Sequence, residues 1–154
     1  NLAVMPVKAE TTYRTIFAGS PHHYTPKWNE LGVGELAIWN DGSYLYVQYT
    51  MKWGDWEMTE THVAVADSLE GIPQTKSGNP KVGNFPYAME HNPAVTTYTY
   101  VIDLEWEVGT ELYIAAHAVV QDGCRQETAW ADCQGPAFLF PGANWASFVT
   151  HVVQ

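Results

Sequence analysis

A chain of 154 residues, 46% hydrophobic and only 16% charged, can bury one sizeable core, which excludes intrinsic disorder and leaves no room for a second domain of ordinary size. Seven Lys and Arg against 17 Asp and Glu give a formal charge of −10 with no basic stripe, which argues against nucleic acid and anionic membrane as partners. No apolar run reaches the roughly 18 residues of a membrane helix, so no membrane span is expected.

The first segment, Asn1 to Ala9, carries Leu2, Val4, Met5, Pro6 and Val7 on both parities, with no turn signal before Thr11-Thr12. It lacks the basic-then-apolar plan of a signal peptide. An apolar strand does not stay unpaired in water, and Pro6, without an N–H, suits an edge or inserted strand. Leu2 to Lys8 is then either the first strand of its own sheet or a strand donated to the open edge of a neighbouring copy. The donated reading is preferred, because the segment is terminal and free of the charges that protect natural edges. It divides the chain into an extended donor strand at 1–10 and a β-domain at 11–154, and it implies a head-to-tail homopolymer.

Period-two alternation and β-branched or aromatic enrichment then recur, whereas no dozen residues keep a helical stripe free of Gly and Pro. Strands are predicted at Tyr13 to Ala18, Gly34 to Trp39, Ser43 to Met51, Thr61 to Ala66, Thr97 to Leu104, Glu111 to Val120 and Trp145 to Val153. The clearest unit is the hairpin around Asn40-Asp41-Gly42, where Asp-Gly supplies the positive φ of a tight turn. Within it Leu45, Val47, Tyr49 and Met51 face the core and Tyr44, Tyr46, Gln48 and Thr50 face away. Between Asp67 and Val95 the alternation lapses among Pro73, Pro80, Pro86 and Pro93, which predicts a long surface excursion that binds something or packs over a sheet. Counting Leu2 to Lys8, about eight mostly antiparallel strands predict an all-β fold closed as an antiparallel β-sandwich.

Cys124 and Cys133 bracket a short stretch and lack any zinc-ligand pattern; a disulfide there would contribute about 2.5–3 kcal/mol and places the protein in an oxidising, extracellular compartment. Asp122, Glu127 and Asp132 around that loop offer oxygen ligands for calcium without matching an EF-hand.

Seven Trp and nine Tyr are the largest compositional anomaly. Exposed rings stack on sugar faces, and Trp28, Trp53, Trp56 and Tyr87 lie in loop-like contexts as candidates for carbohydrate binding. Trp39, Trp130 and Trp145 are expected in the core, where most aromatic rings go. Glu60 and His62 share one strand face, and with His117 from another strand they are the weak candidates for a metal cluster; no metal motif supports them, and a hydrogen-bonded core role is expected for His117. No nucleophile elbow, activated cysteine or phosphate loop is present, and carboxylate pairs such as Glu105 with Glu107 read as a solvated face, so no enzyme activity and no cofactor are expected.

The strings at 71–80 (GIPQTKSGNP), 85–87 (FPY), 112–118 (LYIAAHA), 127–130 (ETAW) and 140–146 (FPGANWA) resemble a family of secreted β-domains of environmental microbes. The likeness covers about the C-terminal two-thirds, and Cys124 and Cys133 look like an addition to the family pattern. An apolar N-terminus before such a domain also resembles subunits of extracellular filaments that polymerise by strand donation. The expected function is therefore an extracellular structural subunit made of identical copies, with a secreted carbohydrate-binding module as the alternative.

Overall fold

The computed structural model describes residues 10–19, 32–123, 125–132, 138–142 and 145–154. The period-two pattern resolves there into nine strands: β1 Thr12–Ala18, β2 Gly32–Asn40, β3 Tyr44–Met51, β4 Glu57–Ala66, β5 Tyr87–Val95, β6 Thr97–Asp103, β7 Glu111–Gln121, β8 Gln126–Asp132 and β9 Val149–Val152. All belong to one sheet with the order β5-β4-β7-β8-β1-β2-β3-β6, and β9 pairs with the first half of β7. Every pairing is antiparallel.

The all-β, antiparallel expectation holds, but its closure as a sandwich of two sheets does not. A single path of hydrogen-bonded strands curls into a nearly closed barrel, which leaves few free edges. Its two end strands meet through side chains. His91 of β5 lies with its ring centroid 4.5 Å from that of Tyr98 on β6, and Tyr87 packs edge-on against Tyr100. Tyr100 Oη is 2.6 Å from Thr61 Oγ1, which also reaches His91 Nε2 at 2.9 Å.

Alternation along the strands sets the interior. Leu36, Ile38, Leu45, Val47, Tyr49, Leu112, Ile114, Ala116 and Ala118 are buried in one cluster inside the barrel. Tyr49 crosses that interior: its hydroxyl lies 3.0 Å from the carbonyl oxygens of both His62 and His117 and donates a shared hydrogen bond to them.

The stretch expected to be one long excursion is shorter. Residues 87–95 form β5, an edge of the strand path where Pro93 removes no ladder bond between central strands. Residues 67–86, with short 3-10 turns at Leu69–Gly71 and Val82–Asn84, fold back over the outside of β4, β7 and β8 together with described residues of 138–148. Ile72, Phe85, Phe140 and Phe148 there cover Ala64, Ala115 and Trp130 in a second apolar cluster. The last predicted strand narrows to β9, with Leu139 and Ser147 forming an isolated bridge before it. Among the described residues no helix is long and apolar enough to cross a membrane.

Candidate functional site

One side of the barrel is thus covered by a second layer, and β1, β2, β3 and β6 present a different outer face. Strand register arranges this face in rows. Tyr13, Ala37, Gln48 and Thr99 are successive cross-strand partners, Trp39, Tyr46 and Val101 form the next row, and Thr15, Glu35, Thr50 and Thr97 lie on the other side. Trp39 stacks on Tyr46 with centroids 5.1 Å apart and planes 8° from parallel, and Tyr44 packs edge-on against Tyr46. Tyr13 is 55% exposed.

A cleft of about 1340 Å³ opens over this face, with Tyr13, Trp39, Gln48, Thr50, Glu35 and Asp41 among its lining residues. It exceeds the roughly 300–1,000 Å³ of small-molecule pockets and so has room for several linked units. Polar groups stand beside the rings. Gln48 Nε2 donates to Thr99 Oγ1 at 3.0 Å, which leaves its amide oxygen available, and Lys52 Nζ lies 2.8 Å from Glu35 Oε1. Asp41 Oδ1 accepts from the backbone N–H groups of Ser43 and Tyr44, and Oδ2 accepts from the Tyr46 hydroxyl. These bonds hold the Asp41 carboxyl below its ordinary pKa and keep it ionised.

Hydrogen bonds tie one end of the cleft to β9 and Gln154. Asn40 Oδ1 accepts from Gln154 N and His151 Nε2, and its Nδ2 donates to the carbonyls of Gln154 and Asp41. Because His151 Nε2 donates, its Nδ1 accepts, and the Thr12 hydroxyl donates to it at 2.8 Å. Burial lowers the pKa of His151.

The sequence candidates lie elsewhere. Trp53 is 49% exposed in the β3–β4 connection, and Trp56 is half-buried against the core with the Arg125 guanidinium 4.8 Å from its ring. Tyr87 is a packing residue at the barrel closure rather than a surface platform, since β5 turns it towards Tyr100. Trp28 lies outside the described residues, as do the proposed donor residues Leu2, Val4, Met5, Pro6 and Val7 and both cysteines, Cys124 and Cys133. Trp39, expected in the core, stands on the outer face. Alternation carried that signal: Leu36 and Ile38 point inward, so Glu35, Ala37 and Trp39 point out. Trp130 is buried as expected, and Trp145 is half-buried against the second cluster.

Glu60, His62 and His117 do come together. His62 and His117 are register partners on β4 and β7 with their Nδ1 atoms 3.3 Å apart, and Glu60 Oε1 is 3.6 Å from His62 Nε2. Glu60 therefore meets the far nitrogen of His62, and the three groups do not converge on one point. Among the described residues no three His, Cys, Asp or Glu side chains are placed to hold a metal ion. His117 packs edge-on against Trp130, with centroids 4.7 Å apart, and burial with the adjacent His62 pushes its pKa down to about 3. The calcium candidates are likewise apart: Asp122 pairs with Arg125 at 2.9 Å, while Asp132 is buried at the end of β8.

No protein-family model matches the chain, and no curated protein resembles it in sequence. Among solved structures it is similar to a "putative carbohydrate binding protein" from Bacteroides uniformis, at 9% identity and a TM-score of 0.40. That match takes in 90% of this chain and spans 57% of the length of the other.

Proposed function

We propose that this protein is a secreted carbohydrate-binding module whose site is the cleft along the outer face of β1, β2 and β3. The observation that carries the reading is the cleft itself, in which the exposed Tyr13 and Trp39, the latter backed by Tyr46, stand beside Gln48, Thr50, Glu35 and Asp41. Aromatic faces stack on the C–H faces of sugar rings, and carboxylates and amides accept and donate at the hydroxyl rim; both are needed to hold a ligand that is apolar on its faces and polar on its edge. The β-sheet underneath keeps the groups in fixed rows, so little ordering cost opposes binding.

The test is polysaccharide retention in affinity gels followed by calorimetry on the retained glycan. Trp39→Ala should weaken binding by tenfold or more, about 1.4 kcal/mol, whereas Trp53→Ala should leave it unchanged. Retention that survives Trp39→Ala and Tyr13→Ala together, or that vanishes with Trp53→Ala alone, would place the site elsewhere.

A further inference from the structure

We infer that the cleft takes an uncharged glycan and rejects uronate and sulfated sugars, an inference that rests on the glycan reading above. The described lining residues hold three carboxylates, Glu10, Glu35 and Asp41, and one cation, Lys52. That cation is already matched, with Lys52 Nζ 2.8 Å from Glu35 Oε1. Glu10 and Asp41 remain as net negative charge at the end of the cleft near Asn40, where Gln154 also borders it. Asp103, partner of Tyr44 in the β3–β6 register, adds another carboxylate at that end of the outer face.

Binding a uronate or a sulfate requires a free ammonium, guanidinium or cluster of N–H donors to meet it. Among the described lining residues the one ammonium, Lys52, is already neutralised by Glu35. A sugar hydroxyl is the opposite case: it donates, and ionised carboxylates are the strongest acceptors available to it. The face is therefore built to receive O–H groups and to repel anions. The formal charge of −10 on the whole chain acts in the same direction at longer range, where salt screens it.

The experiment compares cello- and manno-oligosaccharides, oligogalacturonides and sulfated dextran fragments of matched length by calorimetry on the full chain. At least one uncharged series should bind, with an affinity that does not change when salt is raised to about 0.5 M, and the two anionic series should be at least about tenfold weaker. Glu35→Gln, which frees Lys52, should raise oligogalacturonide affinity about fivefold; Lys52→Gln, which leaves Glu35 unmatched, should lower it. Because the two substitutions act in opposite directions, a general loss of structure cannot imitate the result. Anionic oligomers bound as tightly as uncharged ones, or both variants moving in the same direction, would overturn the inference while leaving the glycan site standing. Failure of every series to bind would sink the glycan reading itself and the inference with it.

Discussion

Asn40 is 1% exposed at the end of β2, and both ends of its side-chain amide are engaged by β9 and Gln154. An Asp could not donate to the Gln154 and Asp41 carbonyls, and a Ser could not reach all four partners, so the amide is the group the position requires. Asn40→Ala would leave Gln154 N, Gln154 O and His151 Nε2 without this partner in a buried setting. Each such loss costs about 1 kcal/mol, and more where water cannot enter. The expected outcome is a loss of about 2–4 kcal/mol in urea unfolding, with weakened glycan binding because Gln154 and Asp41 border the cleft. A change below about 0.5 kcal/mol would show that water replaces the amide without cost.

At the scale of elements, the β2–β3 hairpin shows which glycine matters. Asp41-Gly42 is expected to supply the positive φ of the turn, yet Gly42 is not among the glycines at positive φ, and a Cβ there meets nothing within 4 Å. The Asp41 carboxylate holds the turn instead, accepting from Ser43 N at 2.8 Å and Tyr44 N at 2.7 Å. Gly34 is the constrained position: a Cβ there would run into the Thr50 carbonyl and stand 2.9 Å from Met51 Cα, and β2 is fixed by ladders to β1 and β3 on both sides. Gly34→Ala should therefore cost about 1–3 kcal/mol of stability and Gly42→Ala should stay within about 0.5 kcal/mol, both measured by thermal unfolding. The hairpin, its faces and the face shared by Glu60 and His62 were legible because period-two alternation is local. β5 was not, because Asn92 and Pro93 interrupt it and an edge strand needs no regular burial; nor was β8, whose bracketing cysteines suggested a loop. Trp39 stands outside because the alternation of its own strand, with Leu36 and Ile38 inward, overrides the general tendency of tryptophan to be buried. Which sheet face a second layer would cover depends on long-range packing of 67–86 and of the described residues of 138–148, and no local pattern encodes that.

Four imidazoles at strand junctions, three of them buried and one half-buried, set the response of the whole molecule to acid. His91 lies in the barrel closure, His151 under the cleft, and His62 with His117 between β4 and the covering layer; burial lowers the pKa of all four. In the unfolded chain each would titrate near 6.5, whereas folded His117 takes up a proton only near pH 3. Above 6.5 both states are neutral and the stability is fully present. As pH falls below 6.5 the unfolded chain gains protons that the barrel refuses, so stability is lost progressively until the folded pKa is reached, at up to about 1.4 kcal/mol per pH unit for each such group. The two Nδ1 atoms 3.3 Å apart reinforce this, since protonating one ring raises the cost of protonating the other. The Tm should therefore be flat above about pH 7 and fall as pH drops from about 6.5 to 5.5, a range that stays above the pI of 4.8, where self-repulsion is lost. His117→Gln removes one titrating group, and its Tm should fall less steeply over the same interval whatever its value at pH 8. A slope as steep as that of the parent chain would mean that the pair is protonated in the fold, and that the barrel tolerates a charge beside Trp130.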